Sequence, residues 1–373
     1  MSTEDNKTAF YQQHLNADAE MTPYAGATIP LAYKDGAVRE HEWVRTRAGL
    51  FDISFHGQAL LAGKDAEALF SRLTPTDFSS VPLWGCIYTV LTNEAGGIVD
   101  VVLITRTGEG HFHLMTSASR AVDVISWIRN HITGDVSLEA LPPRSPLISL
   151  QGPYAEDVLI SALGAHADLR EMNFMQGLKT HLMGAKVLVL RAGFTGEDGF
   201  KISINGDDTT ARHIWLALAQ HDGVKPAGIA ARDSLRLEAG YPVYGYDITE
   251  NTTPVEAALD WVLSSGHSGF LGADKILAQL ESSPERRRMG IVFSEDFTPP
   301  EGAKIFSADG HEVGLVTSTG FSPTTKQYIG QGYVQADSAE LGKIILVQTE
   351  NRRLRGRTHG LSFINPHNIK PGA

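Results

Sequence analysis

Three glycines spaced by three residues follow an apolar run, and this block limits the backbone of the 373-residue chain more than any other stretch. Residues 187–190 are typical of a buried strand. Gly193, Gly196 and Gly199 come next and surround a threonine and a pair of carboxylates that begins with Glu197. Glycines at this density let a backbone turn with positive φ or pass close to a ligand. The block therefore predicts a strand end that carries Glu197.

A second segment, residues 232–241, mixes charged and apolar side chains. Arg232 and Glu238 alternate with positions such as Leu235 and Leu237. So many charges beside apolar positions indicate an ion-paired wall rather than a free surface helix. A carboxylate and a guanidinium that face one cavity could hold a flat heterocycle carrying both donors and acceptors. We therefore expect Glu197 and Arg232 to line one cavity.

Composition excludes several classes of protein. The net charge of −11 argues against a general nucleic-acid or anionic-membrane partner. Cys86 is the sole cysteine, so neither an internal disulfide nor a cysteine-based metal site is expected. His111 and His113 have no third ligand at recognisable spacing, and no metal site is predicted. The polar N-terminus lacks an export pattern and no apolar run approaches bilayer length, which favours a cytoplasmic protein.

The order of elements predicts an α+β fold. Residues 1–10 are predicted to be a flexible tail, and residues 21–33 an irregular segment. Helical spacing from about Asp65 and apolar runs joined by residues 93–97 predict a helix and then a hairpin. Strands and helices alternate without a regular parallel rhythm up to residue 281. From residue 289 to residue 373, short strand-like runs with turn residues predict an all-β barrel or sandwich domain.

Several ordered blocks give a family resemblance from about Tyr11 to the C-terminus. The blocks are Thr-Gly-Glu-Asp-Gly at 195–199, Arg-Asp-Ser-Leu-Arg-Leu-Glu-Ala at 232–239 and Gly-Gly-Ile-Val-Asp at 96–100. Together they resemble the aminomethyltransferase (glycine-cleavage T-protein) family of tetrahydrofolate-dependent one-carbon transferases. The resemblance implies a two-lobed folate-binding region over residues 11–281, followed by a small C-terminal β-barrel domain.

Asp100 is the catalytic candidate that the resemblance implies. The family's block usually ends in two adjacent aspartates, one of which faces the reactive end of the folate, whereas this chain has Asp100 and then Val101. Because neighbouring strand residues point to opposite faces, Asp100 cannot replace a carboxylate at position 101. Taken alone, Asp100 could equally be a solvated carboxylate near a turn.

The resemblance also implies which residues hold tetrahydrofolate. Glu197 would accept hydrogen bonds from the pterin edge, although a surface charge is the plainer interpretation. Without the resemblance, Arg232 would be interpreted as an ion-pair partner, and Tyr88 and Tyr241 as core residues. His56 lies in a block expected to border the cavity and is a candidate substrate contact. The implied cofactor-binding residues are Tyr88, Thr116, Glu197, Arg232 and Tyr241.

Three functions stay open at this point. The resemblance most directly implies the glycine-cleavage reaction, in which an aminomethyl group on a lipoyl carrier protein and tetrahydrofolate give methylenetetrahydrofolate and ammonia. The alternative is a demethylase that takes a methyl group from a small O-, N- or S-methyl compound and forms methyltetrahydrofolate. This chain differs from the usual residues of the family at five positions expected to line the site, and these differences favour a small methyl donor. The positions are Ala27, Phe55, His56, Val101 and Thr116. A folate-binding regulator is the third, but the chain lacks the Lys-Gly-Cys block of such relatives.

Overall fold

A computed structural model describes residues 6–163 and 169–367. Most helices carry an apolar face at 3.6-residue spacing, as in the helix that buries Ala66, Leu69, Phe70 and Leu73. The α-helices of the described residues are α1 (Tyr11–Asn16), α2 (Ala37–Thr46), α3 (Ala66–Leu73), α4 (Ala121–Asn130), α5 (Ala155–Leu163), α6 (Asp208–Ala219), α7 (Ile229–Ala239) and α8 (Ala273–Ser282).

The strands alternate with these helices up to α8 and then run without another α-helix. They are β1 (Glu20–Tyr24), β2 (Ala27–Ala32), β3 (Ala48–Asp52), β4 (Gln58–Ala62), β5 (Cys86–Thr92), β6 (Ile98–Gly108), β7 (His111–Met115), β8 (Ser137–Ala140), β9 (Leu147–Gln151), β10 (Gly177–Leu182), β11 (Ala185–Leu190), β12 (Gly199–Asn205), β13 (Val224–Pro226), β14 (Arg286–Phe293), β15 (Lys304–Ser307), β16 (Glu312–Ser322), β17 (Gln327–Gln335), β18 (Ile344–Gln348) and β19 (Arg353–His359).

Two sheets form two lobes. A five-stranded sheet in the order β5-β6-β7-β4-β8 and a six-stranded sheet in the order β10-β11-β12-β9-β3-β13 each have a separate hydrophobic core. The chain leaves the six-stranded sheet after β3, builds the whole five-stranded sheet, and returns with β9, which pairs antiparallel with β3. A third apolar cluster, which includes Phe55, Leu103 and Leu190, joins the two lobes.

The C-terminal domain is a closed barrel in the order β14-β17-β16-β15-β18-β19, with its own apolar interior. The α+β class, the two lobes and the all-β barrel predicted from the sequence are thereby confirmed. The first barrel strand begins at Arg286, earlier than the predicted residue 289. Closure leaves no free sheet edge in this domain.

Two local predictions are wrong. Residues 21–33 are not irregular, because β1 and β2 pair as a hairpin. The predicted loose tail fails from Thr8 onward: Thr8 donates a hydrogen bond to Asp52 at 2.6 Å. The ring of Phe10 is fully buried and lies 5.0 Å from that of Trp215. Residues 1–5 of that predicted tail lie outside the described part of the chain.

Candidate active site

Two cavities meet where the two lobes, α7 and the barrel come together. The larger has a volume of about 680 Å³ and reaches Arg288 of β14. The smaller has a volume of about 320 Å³ and is walled by β6, β12, α7 and the β1–β2 turn. Tyr88 of β5 and Pro242 line both, so the cavities share a wall. Volumes of this size are typical of small-molecule sites.

Aromatic rings form the wall between the cavities. Phe194 and Tyr241 stack with centroids 4.8 Å apart and planes at 25°. The ring of Tyr88 lies 6.3 Å from Phe194 and 6.2 Å from Trp261. Phe194 faces the smaller cavity and Tyr241 the larger, so the stack presents one ring to each side. Such a wall suits a flat ligand, since offset stacking adds to the free energy of burial.

Arg232 enters the smaller cavity from α7. Its guanidinium lies 5.0 Å from the centroid of the Phe194 ring and 5.8 Å from that of Phe55. Its Nη2 donates to Nε2 of His56 at 3.4 Å, and Nδ1 of His56 lies 2.8 Å from the carbonyl of Thr116. His56 can accept at one nitrogen and donate at the other only as a neutral ring. Burial, then the charges of Arg232 and Lys201, hold the pKa of His56 well below its usual value.

Lys201 is a second cation in the smaller cavity, carried by β12. The residue is 5% exposed, and its ammonium lies 4.0 Å from the sulfur of Met115. Burial, followed by repulsion from Arg232, lowers the pKa of Lys201 to about 8. No carboxylate is among the residues that line this cavity. Its surface is therefore basic and otherwise largely apolar and aromatic.

Strand alternation decides which side chain of β6 faces the cavity. Val101 and Leu103 line it, whereas the neighbour Asp100 is fully buried behind the wall. Oδ2 of Asp100 accepts a hydrogen bond from the backbone N–H of Ser117 at 2.9 Å, and Oδ1 has no hydrogen-bond partner among the described residues. Burial raises the pKa of Asp100 to about 7. Asp100, the predicted catalytic residue, therefore does not line the cavity, and its role stays a prediction.

Glu197 is not among the residues that line either cavity, so the expectation that it lines one together with Arg232 is wrong. Its Oε1 is ion-paired with Nη1 of Arg45 at 2.9 Å, and its Oε2 lies 3.2 Å from Nδ1 of His367. Arg45 also pairs with Glu238 of α7 at 2.8 Å. Gly196 has φ +83°, and Glu197, which follows it, directs its side chain toward Arg45 of α2, which in turn contacts α7. Glu197 thus joins structural elements, because both of its oxygens contact side chains that lie outside the smaller cavity.

Comparison with known proteins agrees with this architecture. Residues 10–266 match the GCVT N-terminal domain, and residues 286–364 match the glycine cleavage T-protein C-terminal barrel domain. The chain belongs to the glycine cleavage T-protein family. The family resemblance predicted from the sequence is thereby confirmed.

Members of the glycine cleavage T-protein family align with this chain over nearly its full length. An aminomethyltransferase of Geobacillus kaustophilus is 35% identical and the match covers 96% of this chain and 98% of the relative. The mitochondrial aminomethyltransferase of Saccharomyces cerevisiae is 39% identical, with 93% and 91% covered. The crystal structure of glycine cleavage system aminomethyltransferase T from Bartonella henselae superposes with a TM-score of 0.91 at 32% identity, covering 98% of this chain and 100% of that one.

Within this T-protein fold, five of the seven predicted site residues line the joined cavities. His56, Thr116 and Arg232 line the smaller cavity, Tyr241 lines the larger, and Tyr88 lines both. Their roles toward a ligand stay predictions. Sequence reasoning missed Lys201, because a lysine on a strand is normally solvated. No local sequence signal distinguishes it from a solvated lysine, and its site appears only from the position of β12 between β11 and β9.

Two further observations concern what the described residues do not contain. Over residues 6–163 and 169–367, no group of three His, Cys, Asp or Glu side chains could hold a metal ion. The helices in the same ranges are all too short or too polar to cross a bilayer. Of the two histidines considered as metal ligands, His111 is exposed, and His113 is buried and contacts Gln58.

Proposed function

We propose that this protein is a tetrahydrofolate-dependent aminomethyltransferase. It would take an aminomethyl group from the lipoyl arm of a carrier protein and release methylenetetrahydrofolate and ammonia. The observation that carries the proposal is the aromatic wall of Tyr88, Phe194 and Tyr241 between two cavities of a T-protein fold. Relatives that bear the name aminomethyltransferase support it over nearly the whole chain. A cytoplasmic location and the carrier protein belong to the same proposal.

The shape and rings of the site fit a folate. A flat pterin needs an aromatic surface and a cavity of several hundred Å³. The shared wall supplies the surface, and the two cavities supply the volume. Tyr88, Thr116, Arg232 and Tyr241 would hold it by stacking and by hydroxyl or guanidinium donors. When bound, tetrahydrofolate supplies the nitrogen that accepts the one-carbon unit.

The protein's own contribution is mainly positioning. Arg232 is fixed by two aromatic rings and by neutral His56, so its donors keep one direction. A fixed geometry removes the entropic cost of bringing two reactants together. Asp100 does not touch the cavity surface. It holds the backbone of Ser117, which is part of the wall, and acts as a positioning residue.

A second candidate is the demethylase that forms methyltetrahydrofolate from a small methyl compound. The lining of the smaller cavity favours it, because Val101 occupies the inward position of β6 and no lining residue is a carboxylate. A pocket that keeps its aromatic wall but changes its polar groups is suited to another donor. The identity of the product separates the two candidates.

The test is product analysis with the purified protein and tetrahydrofolate. Aminomethylated lipoyl carrier protein should give methylenetetrahydrofolate and ammonia. Phe194→Leu should weaken folate binding about 10-fold through loss of stacking. The control Phe321→Leu removes a ring that packs on Tyr328 in the barrel and should leave folate binding unchanged. No turnover with the carrier, but methyltetrahydrofolate from a small methyl donor, would replace the first candidate by the second.

A further inference from the structure

Two cations in the smaller cavity have no anionic partner among the described residues. Lys201 Nζ contacts the sulfur of Met115 at 4.0 Å. Arg232 reaches His56 at 3.4 Å and otherwise lies over aromatic rings. The carboxylate next to Arg232 in sequence, Asp233, is paired with Arg236 at 2.7 Å instead. Both cations therefore keep donors that the described protein does not satisfy.

Such an arrangement is costly unless a ligand balances it. A buried ammonium or guanidinium is normally ion-paired, because removal from water disfavours its charged form. His56 cannot serve as the counter-ion, since its ring is neutral and bonded at both nitrogens. The cavity lining includes Val101, Leu103 and Met115 but neither Asp nor Glu. Residues 6–163 and 169–367 therefore supply no negative charge that balances these two cations.

We propose that the smaller cavity binds a small carboxylate, held by Lys201 and Arg232, and that this carboxylate belongs to the small methyl donor of the second candidate function, since an aminomethyl-lipoyl arm has no carboxylate. The assignment of the carboxylate to a donor rests on that proposed demethylase function, whereas the anion site itself does not. At about 320 Å³, the cavity admits a molecule the size of a small amino acid. Two cations can bind the two oxygens of one carboxylate with strong, charge-assisted hydrogen bonds.

The rest of the lining limits the body of this ligand. Apolar side chains from β6 and β7 and the ring of Phe194 surround the two cations. A polar body would lose its hydration there without replacement. A carboxylate with a short aliphatic or methylated body matches this surface. The aromatic wall places such a ligand beside the tetrahydrofolate that is proposed to stack on that wall, and the five N–H donors of Arg232 allow its guanidinium to contact both.

Tetrahydrofolate itself carries glutamyl carboxylates, so the same charge could come from the cofactor. Comparison of tetrahydrofolate with 6-methyltetrahydropterin, which has no carboxylate, distinguishes the two sources. If Lys201→Met weakens binding of tetrahydrofolate, whether or not it also weakens binding of 6-methyltetrahydropterin, Lys201 contacts the cofactor and the donor assignment is overturned. If the variant changes the binding of neither compound, the donor assignment is supported.

The experiment is a binding titration of the whole protein in a buffer free of carboxylate, phosphate and sulfate. The probes are two- to five-carbon monocarboxylates without a second charge, including acetate and methoxyacetate, each paired with its neutral amide. We expect at least one carboxylate to bind and its amide to bind more than 10-fold more weakly. Lys201→Met should weaken carboxylate binding about 10- to 100-fold. Lys186→Met, which removes an exposed lysine from the neighbouring strand β11, should have no effect.

Failure of the site and failure of the function are separable. If no carboxylate in the panel binds, or if Lys201→Met binds it as tightly as the parent protein, the anion site is overturned. If carboxylates bind with the expected dependence on Lys201 but tetrahydrofolate is never converted, the proposed transferase fails and the anion site stands. Lys201→Gln, which keeps a polar end without charge, should weaken binding as Lys201→Met does and guards against a packing effect.

Discussion

Glu197 Oε1 accepts a hydrogen bond from Nη1 of Arg45 at 2.9 Å, so the carboxylate of the glycine-rich block is directed to α2 rather than to the ligand cavity. The same guanidinium reaches Glu238 of α7. One arginine thus connects the glycine-rich block with two helices, and His367 approaches from the C-terminal segment.

Glu197→Gln should therefore change stability rather than ligand binding. The substitution removes one of the two carboxylates that pair with Arg45 and leaves Glu238 as the other, so we expect the free energy of unfolding to fall by about 2 kcal/mol, the contribution of a hydrogen bond to a charged group. Urea unfolding measures this. Glu312→Gln, which breaks an exposed pair with Lys304, should cost less than about 1 kcal/mol. A large loss of folate affinity at unchanged stability would contradict the structural role.

Lys201→Met should stabilise the protein at pH 7. The folded-state pKa of about 8 lies below the usual 10.5, so the charged ammonium disfavours the fold below pH 8. A shift of this size corresponds to about 3 kcal/mol. Between pH 8 and 10.5 the unfolded chain binds more protons, so parental stability rises with pH and the difference between the two proteins shrinks. An unchanged or lower midpoint for Lys201→Met at pH 7 would contradict this burial.

Carboxylate binding in the smaller cavity should weaken above pH 8. The groups that face the Lys201 ammonium are Arg232, which stays charged, the thiol of Cys86 and neutral His56. The pKa of Cys86 is raised to about 11, so Lys201 alone titrates near pH 8. Affinity should fall about tenfold per pH unit above that value, since the ligand needs the protonated amine. Lys201→Met should show a flat profile over pH 7–9.5, and a parallel decline in both proteins would exclude Lys201 as the titrating group.

Asp100→Asn should stabilise the protein at pH 8 and leave it nearly unchanged at pH 4. The folded-state pKa of about 7 exceeds the ordinary 3.8, so the native protein holds a proton that the unfolded chain has lost. Parental stability therefore falls as pH rises from 4 to 7, by up to about 4 kcal/mol. Thermal unfolding of both proteins across this range measures the effect. The exposed Asp222→Asn should have the same pH profile as the parent, and a matching profile for Asp100→Asn would refute the burial argument.

Local sequence signals predicted most of the secondary structure. The apolar spacing after Asp65 produced α3, residues 93–97 produced the turn between β5 and β6, and Asp207 accepts from the backbone of Thr210 as the N-cap of α6. These features depend on neighbours within a few residues, which a sequence displays directly. The hairpin of β1 and β2 was missed because Pro23 and Pro30 are unfavourable in strands, and edge pairing overrode that preference.

The site was less predictable, because the direction of a side chain depends on distant partners. Alternation along β6 ruled out equal roles for Asp100 and Val101, but only the fold decided which one faces the cavity. Glu197 sits in an intact motif, and its direction is set by Arg45, which is 152 residues away in sequence. Lys201 became visible as a site residue only once β12 lay between β11 and β9.

The interrupted six-stranded sheet has a consequence for how the chain reaches its native state. β3 ends at Asp52 and its partner β9 begins at Leu147, so an entire lobe must be synthesised before the two strands can pair. β13, the other neighbour of β3, comes later still and adds in parallel. Long-range pairing of this kind is slow to form. During synthesis β3 therefore emerges with both edges open, and its fully buried sequence needs protection from aggregation until β9 is synthesised.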